Sequence, residues 1–391
     1  MRKVVHWGHV PLLSGHPDDG TRPPTHPGHW VLDLAQAQRE HAGWDAQIIT
    51  ILPGGSRDFA TTIQGVPVYY LRCAAQGRAA TLFAAEIRRL LVRTRALHPD
   101  LVVTHGTEES YSFAGLFAAW PHIPMMQGQL SILRPLADRR WFSRMRVMEW
   151  LEALTLRRSR QLIAPSDFVR QRLQTRYPHL VAVTIPLPFN AQAFNTTAGR
   201  QGRRSRDLLY VGALMPWKGL HVLRAALEQL GRDFAGWSLT IVGAENPTTY
   251  WQSEKKALSV LLGNRLICLG QIPRDKVAML LASTHALVAP SLEDMYGNQV
   301  VEALASGTHA IVASATGLEE TVRNYGNGTV FRNGDAGALA HAIREVIGRR
   351  DFPESRQTQT RVLSALAPER VAALHSAYYK QVLSAPTGQS L

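Results

Sequence analysis

The chain has 391 residues, 43 Lys and Arg against 30 Asp and Glu, a formal net charge of +13 and 45% apolar residues. This length is enough for two or three globular domains. The composition excludes disordered, collagen-like and disulfide-framework proteins. The basic balance favours anionic partners, namely nucleic acid, anionic lipid headgroups or phosphorylated small molecules, without choosing among them.

The cysteine usage and the N-terminus indicate the compartment. Cys73 and Cys268 stand far apart in apolar contexts and form neither a zinc cluster nor a CxxC pair, so a reduced cytoplasmic protein is expected. The Pro- and His-rich stretch 11–28 interrupts any signal-peptide pattern after Met1. No run approaches the ~18–20 apolar residues that a spanning helix needs.

Short β-type runs alternate with helical patterns along the chain, which is typical of parallel α/β domains. In the first half the predicted strands are Val4–Trp7, Gln47–Ile51, Val66–Leu71, Leu101–Thr104, Pro124–Met126, Gln161–Ala164 and Val181–Ile185. The helices predicted there are Trp30–His41, Thr81–Ala96, Met145–Arg158 and Asp167–Arg176.

The periodicity is lost between Pro186 and Arg206 and then restarts. The later predicted strands are Leu208–Val211, Ser238–Val242, Leu266–Leu269, Ala286–Ala289 and Ala310–Ala313, and the later helices are Leu220–Leu230, Ala336–Ile347 and Pro368–Leu383. We therefore expect two α/β domains at 1–188 and 207–366, joined by a linker at 189–206. Residues 367–391 are expected to form a helix that packs back on the first domain, followed by a frayed tail.

The first stretch that carries chemistry is the turn after the predicted strand Leu208–Val211. Gly212 ends the strand, Lys218 lies in the turn, and a helix begins near Leu220. Ligands of parallel sheets bind beyond the carboxyl ends of the strands, where helix N–H groups attract phosphate. The sequence alone is equally compatible with a surface loop that carries a solvated lysine.

The second stretch follows the strand Ala286–Ala289. An acidic turn with Glu293 and Asp294 leads to Gly297, and a helix starts near Asn298 with Glu302 about one turn inside it. A carboxylate there suits a ribose diol, because it accepts two hydrogen bonds at once. The alternative is that Glu293 and Asp294 are ordinary acidic residues at a helix N-terminus, which the helix dipole favours.

Together the two stretches resemble the retaining GT-B-fold glycosyltransferases of family 4. The Lys-bearing turn of that family appears as Gly212-Ala213-Leu214-x3-Lys218-Gly219, and its Glu-x7-Glu motif appears as Asp294-x7-Glu302. The resemblance continues through 303–308 and 269–273, and in the first half through 99–103, 163–166 and the start of the helix at Pro27-Gly28. It implies an α/β GT-B fold, two Rossmann-like domains that face each other across an interdomain cleft.

The resemblance also implies the activity and its residues. A nucleotide-sugar donor, with UDP or GDP expected, would bind the C-terminal domain and pass its sugar to an acceptor hydroxyl with retention and without metal or cofactor. The implied donor-binding residues are Gly212, Ala213, Lys218, Gln271, Ile272, Glu293, Asp294, Met295, Tyr296, Gly297, Asn298 and Glu302. The implied catalytic residues are Asp294, Glu302, Lys218 and Gln127, and the implied acceptor-binding residues are Gly28, His105 and Gln127.

The chain departs from the family pattern at several of these positions. Ala213 replaces the usual Arg, Asp294 replaces the first Glu unless Glu293 substitutes for it, and Gln127 stands where the family often has His. The turn Thr316–Glu320 is also shorter than the usual double-Gly turn. No Asp-x-Asp pair is present, and the N-terminal histidines His6, His9, His16, His26 and His29 have irregular spacing, so no metal site is expected.

The stretch 139–151 mixes arginines with large apolar side chains. A cationic amphipathic helix of this kind suits an anionic membrane surface and a glycolipid acceptor. The favoured interpretation is that Met145, Met148, Leu151 and Leu154 form a core-facing stripe, which leaves Arg139, Arg140 and Arg144 outside. The family resemblance implies that the acceptor is a sugar, glycolipid or small molecule of bacterial polysaccharide, lipopolysaccharide or glycolipid synthesis. The outward arginines are compatible with a lipid-linked acceptor at the cytoplasmic face of the membrane, and the protein is expected to be cytoplasmic.

Two further function classes compete with the transferase. A catalytically inactive relative that binds nucleotide sugars or polyanions is the main alternative, because of Ala213, Asp294 and the net charge. A Rossmann dehydrogenase is not favoured, because no Gly-x-Gly-x-x-Gly follows the first strand. No recognised nucleic-acid-binding motif is present either.

Overall fold

A computed structural model describes residues 1–10, 28–107, 110–137, 143–195, 205–245 and 248–385. The chain divides into two compact units. Unit 1 contains Met1–Asn190 and the chain from Leu366 onward, and unit 2 contains Ala191–Ala365.

Unit 1 is built on an eight-stranded sheet with the order β3-β4-β2-β1-β5-β6-β7-β8. Its strands are β1 (Arg2–Trp7), β2 (Trp44–Pro53), β3 (Phe59–Ile63), β4 (Val66–Cys73), β5 (Leu101–His105), β6 (His122–Met125), β7 (Gln161–Ala164) and β8 (Val181–Thr184). All neighbours are parallel except β3 and β4. The strand order reverses between β1 and β5, and ligands of open α/β sheets bind at such a switch point.

Helices cover both faces of this sheet, as parallel strands require. They are α1 (His29–His41), α2 (Ala84–Leu97), α3 (Ser110–Gly115), α4 (Leu130–Ala137), α5 (Arg144–Arg158) and α6 (Asp167–Arg176). The stripe on α5 packs inward as predicted, since Met148 and Leu151 are buried and Met145 and Leu154 pack against the same cluster. Arg144 is exposed, whereas Arg139 and Arg140 lie outside the described residues.

Unit 2 contains six parallel strands in the order β11-β10-β9-β12-β13-β14. They are β9 (Asp207–Val211), β10 (Ser238–Val242), β11 (Leu266–Gly270), β12 (Ala286–Ala289), β13 (His309–Ala313) and β14 (Gly328–Phe331). This is the doubly wound arrangement of Rossmann folds, with its switch point between β9 and β12. Both strands that carry the singled-out motifs therefore end at the preferred ligand position of the sheet.

Eight helices belong to the described part of unit 2. They are α7 (Gln192–Asn195), α8 (Leu220–Leu230), α9 (Thr249–Leu262), α10 (Arg274–Ser283), α11 (Asn298–Ala305), α12 (Gly317–Tyr325), α13 (Ala336–Ile347) and α14 (Ser355–Ala365). The apolar faces of α8, α9 and α13 pack with the sheet in one core that includes Leu223, Leu258 and Ile343.

The last helix, α15 (Pro368–Ser384), belongs to unit 1. The chain re-enters unit 1 where Phe189 N donates to Leu366 O at 2.8 Å. The indole of Trp44 then donates to Ser376 Oγ at 2.9 Å, and the Tyr378 hydroxyl donates to Gln161 Oε1 at 2.6 Å. Among the described residues, no helix combines the length and the apolar character needed to cross a membrane.

Candidate functional site

The Lys218 turn rests directly on the turn that follows β12. After β9 the chain makes a short 3-10 helix, Pro216–Lys218, and reaches α8 through Gly219, whose φ is +72°. A Cβ atom at Gly219 would lie 1.8 Å from the carbonyl oxygen of Pro290. Only glycine fits this contact, because it tolerates the positive φ and leaves room for the Pro290 carbonyl.

The turn after β12 is held by hydrogen bonds from three sides. Two join backbone groups: Leu292 N donates to Trp217 O at 2.8 Å, and Gly317 N donates to Asp294 O at 2.8 Å. The third comes from a side chain, since Asn333 Nδ2 donates to Leu292 O at 3.0 Å. Such bonds fix the loop before any ligand arrives, as a preorganised site needs.

The two turns bring Lys218 and Asp294 into an ion pair. Lys218 Nζ lies 2.6 Å from Asp294 Oδ2, and the two side chains are 21% and 9% exposed. Asp294 also accepts hydrogen bonds from Gln299 Nε2 at 3.3 Å, Tyr296 N at 3.4 Å and Ser291 Oγ at 3.5 Å. Lys218 is thus not a solvated surface lysine, and Asp294 is not an ordinary acidic residue at a helix end.

Glu302 lies in α11 and faces a second cation. Its carboxylate Oε1 is 3.1 Å from Arg274 Nε, and the Arg274 guanidinium lies over the ring of Phe194, 5.1 Å from its centroid. Burial raises the pKa of Glu302 above its usual value, and the nearby Arg274 opposes that rise. The carboxylate is therefore a partly buried acceptor, and the neighbouring guanidinium favours its charged form.

Sequence reasoning missed Arg274, Gln299 and Ser291 as partners of the acidic side chains. Arg274 carried a usable signal, because a cation in the first turn of a helix opposes the helix dipole and needs another reason to be there. Gln299 and Ser291 lay inside the recognised stretch but had no expected role.

The remaining predicted donor residues lie along the same edge of the sheet of unit 2. Gly212 and Ala213 follow β9, and the exposed Ala213 offers its carbonyl to the Tyr210 hydroxyl at 3.0 Å. Gln271 and Ile272 follow β11. Glu293, Met295 and Tyr296 are buried in the turn after β12, and the turn ends at Gly297 and Asn298, where α11 begins.

The three predicted acceptor residues lie in unit 1, whereas every predicted donor residue lies in unit 2. His105 ends β5, and Gln127 follows the neighbouring strand β6. Gly28 precedes α1, and a Cβ there would lie 2.0 Å from His9 O. Its absent side chain thus permits a close backbone packing at the start of the helix.

His105 belongs to a buried chain of hydrogen bonds. His6 Nε2 lies 2.7 Å from Gln38 Oε1, and His6 Nδ1 lies 3.0 Å from His105 Nε2. Burial lowers the pKa of His6 to about 4 and holds that of His105 well below 6.5, so both rings are neutral at pH 7. With Gln38 oriented by this network, His6 Nε2–H donates to Gln38, His105 Nε2–H donates to His6, and His105 Nδ1 is left as an acceptor.

Three buried polar atoms near the ends of β5 and β6 have no hydrogen-bond partner among the described residues. They are His105 Nδ1, Gln127 Nε2 and Gln129 Oε1. Buried polar atoms usually have partners, so each of these three atoms is a candidate partner for a hydroxyl or amide group of a ligand. In the same described set, no three His, Cys, Asp or Glu side chains lie close enough to hold a metal ion; His16 and His26 fall outside it.

Two sequence families match the chain, one for each half. Residues 27–188 match the glycosyl transferase 4-like domain, and residues 198–361 match the glycosyl transferases group 1. The glycogen synthase of Mycobacterium tuberculosis is 27% identical over 365 residues, which cover 90% of this chain and 81% of that protein. The D-inositol 3-phosphate glycosyltransferase of Nocardia farcinica is 29% identical over 148 residues, 36% of this chain and 33% of that protein.

Solved structures share the fold at lower identity. The sucrose-phosphate synthase of Thermosynechococcus elongatus superposes with a TM-score of 0.78 at 18% identity, over 98% of this chain and 100% of that one. Anabaena HepE in complex with UDP and glucose gives a TM-score of 0.71 at 18% identity, over 97% and 100% of the two chains. The chain therefore belongs to the group 1 glycosyl transferases and is a glycosyltransferase of the GT-B type, a class that takes sugars from nucleotide-sugar donors.

Proposed function

We propose that the protein transfers a sugar from a UDP-sugar to an acceptor hydroxyl with retention of anomeric configuration and without a metal ion. The observation that carries this proposal is the Lys218–Asp294 pair at the switch point between β9 and β12. It sets an ammonium and a carboxylate side by side where a sugar diphosphate presents phosphate oxygens next to sugar hydroxyls.

In the proposed reaction the donor replaces the ion pair with its own groups. The diphosphate takes Lys218 as its counter-ion, and the carboxylate of Asp294 turns to the sugar hydroxyls. The bond between the anomeric carbon and the diphosphate oxygen breaks, and the bond to the acceptor oxygen forms on the same face of the sugar. The acceptor hydroxyl passes its proton to the departing diphosphate oxygen. Negative charge grows on the departing diphosphate, where a fixed cation stabilises the transition state most.

The ribose and the base are assigned to neighbouring strand ends. Glu302 would accept hydrogen bonds from both ribose hydroxyls, because an ionised carboxylate has acceptor sites for two donors. The backbone of Gln271 and Ile272, after β11, would contact the base. UDP is preferred to GDP because HepE is solved with UDP and with UDP-glucose, and an Escherichia coli trehalose-6-phosphate protein of similar fold is bound with UDP-2-fluoro glucose.

The acceptor is assigned to unit 1. His105, Gln127 and Gln129 offer an acceptor nitrogen, a donor amide and an acceptor carbonyl, all of them uncharged. Such a set suits the hydroxyls of a sugar or polyol. We assign the product to bacterial polysaccharide, lipopolysaccharide or glycolipid synthesis.

Binding of UDP should raise the melting temperature of the purified protein. A ligand at 100 times its Kd adds ~2.7 kcal/mol of stability, which corresponds to roughly 5–10 °C for a domain of this size. The measurement is a thermal scan with UDP, GDP, ADP or dTDP, each with and without EDTA. We expect a shift that is largest for UDP and unchanged by EDTA.

The matched control is Glu302→Ala, which should keep the fold and lose most of the shift. Stabilisation by UDP that vanishes with EDTA would contradict metal independence. If UDP shifts the melting temperature but no UDP-sugar is turned over by transfer or by hydrolysis, the protein is an inactive relative that binds nucleotide sugars.

We also propose that unit 1 meets an anionic membrane surface through an arginine-rimmed groove. The groove consists of two cavities of about 570 and 540 Å³ that share Leu82. Phe117 and Trp150, 57% and 56% exposed, line it together with Val92. Its described cations are Arg88, Arg95, Arg146, Arg157 and Arg176, and its one described carboxylate, Glu149, is paired with Arg134 and Arg146.

Exposed aromatic and aliphatic side chains surrounded by arginines are typical of surfaces that enter a lipid interface. The protein should therefore sediment with phosphatidylglycerol vesicles and not with phosphatidylcholine vesicles. Replacing Arg88 and Arg95 with Gln should weaken this binding about 30-fold, from about 1 kcal/mol per basic residue. Val260→Asp, at an 82% exposed site on α9, is the control that should change nothing; equal binding to both vesicle types would overturn the assignment.

A further inference from the structure

We propose that Arg274 is a positioning residue of the donor site, which orients the Glu302 carboxylate and keeps it ionised for the ribose hydroxyls. This inference rests on the proposed function, because it takes the donor ribose as the ligand of Glu302. Arg274 lies outside both motifs that revealed the site and has no expected contact with the reacting atoms.

The contact geometry places Arg274 between the carboxylate and an aromatic ring. Its Nε donates to Glu302 Oε1 at 3.1 Å, and its guanidinium stacks over Phe194, whose ring is buried in α7. Cation–π stacking and a charge-assisted hydrogen bond together fix the plane of the guanidinium. A fixed guanidinium in turn fixes the carboxylate, so that one Glu302 oxygen is held and the other remains available to a diol.

Arg274 is also the described cation that acts on Glu302. The elements packed against α11 are α10, α12, α14, β12 and β13. Apart from Arg274, their charged or titratable residues are Asp275, Lys276, Glu319, Glu320, Arg323, Tyr325, Arg356, Arg361 and His309. None of these residues contributes to the pKa shift of Glu302. Burial raises that pKa, and Arg274 lowers it.

The direction in which donor affinity changes with pH follows from burial and from Arg274. A carboxyl group whose pKa is raised in the folded protein loses its charge first as the pH falls. A protonated carboxyl accepts fewer hydrogen bonds from a diol, so donor affinity should fall on the acid side. Removing Arg274 leaves burial unopposed and moves that loss to higher pH, since a neighbouring Arg typically lowers a carboxyl pKa by ~1–3 units.

The first test is donor affinity against pH for Arg274→Gln. UDP-glucose is the probe, because its diphosphate has no ionisation near neutral pH, and binding is measured by calorimetry from pH 5 to 9. We expect the midpoint of the acid limb to rise by about one pH unit. The affinity of the variant should then be about twofold weaker than wild type at the new midpoint and approach a roughly tenfold difference below the wild-type midpoint. Arg274→Lys should restore the midpoint in part, because it keeps the charge and loses the planar stack.

A matched control separates this role from simple structural support. Arg224 forms a similar partly buried pair with Glu254, with side chains 25% and 10% exposed against 28% and 15% for Arg274 and Glu302. Arg224→Gln should cost similar stability and leave the pH midpoint of donor binding unchanged. If Arg274→Gln instead weakens binding by one constant factor at every pH, Arg274 acts only as structural support and the proposal is wrong.

A second measurement keeps the test independent of the donor assignment. The pKa of Glu302 is read in the unliganded protein from its carboxyl ¹³C resonance, identified by its loss in Glu302→Gln. One result would support the effect of Arg274 on Glu302 and still refute the proposed function. In it, the pKa of Glu302 is higher in Arg274→Gln than in the wild type, but even the wild type does not bind UDP-glucose. An unchanged pKa would refute the effect of Arg274 itself. In the Glu302→Gln background, Arg274→Gln should have little further effect on affinity, because coupled residues lose their effects together.

Discussion

Lys218→Met is expected to lower kcat for sugar transfer by about 10²–10³-fold. Fixed charges aimed at developing negative charge typically contribute this much to a rate. The effect should appear in kcat rather than only in KM, because the diphosphate gains charge as it departs. Steady-state kinetics with UDP-glucose and a saturating acceptor measure it.

The same substitution removes the partner of a carboxylate that is only 9% exposed, so a loss of fold has to be separated from a loss of catalysis. An unpaired buried polar group typically costs ~1–3 kcal/mol. The double variant Lys218→Met with Asp294→Asn removes both charges and should regain stability in a denaturant titration. If it also regains activity, Lys218 serves only to neutralise Asp294 and has no role toward the diphosphate.

Gly219→Ala is expected to cost unit 2 about 2–5 kcal/mol of its free energy of unfolding and to weaken donor binding. A non-glycine residue in the left-handed region costs ~1–2 kcal/mol, and overpacking adds ~1–3 kcal/mol. The new methyl group would need the space of the Pro290 carbonyl, so the Lys218 turn and the acidic turn would have to separate. Urea unfolding and UDP calorimetry measure the two effects.

Gly77→Ala, in unit 1, is the matched control for this substitution. Gly77 has the same left-handed conformation, with a φ of +77°, and nothing within 4 Å of the position of a Cβ atom. It should cost only the backbone strain, ~1–2 kcal/mol, and leave UDP binding intact. Equal costs at the two glycines would mean that the contact between the turns has no energetic weight.

The helices and strands whose bounds were predicted best are those with a clear local pattern of apolar residues. The helices Leu220–Leu230 and Ala336–Ile347 and the strand Ala286–Ala289 have their predicted bounds, because an apolar helical stripe or a fully apolar run needs no distant partner to be recognised. The family assignment and the GT-B fold are confirmed by the comparisons. The roles of the individual site residues stay predictions.

The features that sequence reasoning missed depend on distant pairing or on weak local patterns. The edge hairpin of Phe59–Ile63 alternates too weakly to read as a strand, although Gln64 and Gly65 both have the positive φ of a tight turn. The contact of Lys218 with Asp294 joins residues 76 positions apart. That of Arg274 with Glu302 spans 28 positions and two different helices. No local propensity encodes such pairs, so only the folded sheet brings them together.

The return of the chain to unit 1 through α15 has a consequence for the order of folding during synthesis. Unit 2 is an insertion in unit 1, entered after Asn190 and left before Leu366. The ribosome therefore synthesises all of unit 2 before it makes Ser376, the hydrogen-bond partner of the buried Trp44 indole. Until α15 is made, the surface of α1 and Trp44 that it covers stays exposed in the nascent unit 1. Unit 2 can therefore be complete before unit 1, which reverses the N-terminal-first order usual for multidomain chains.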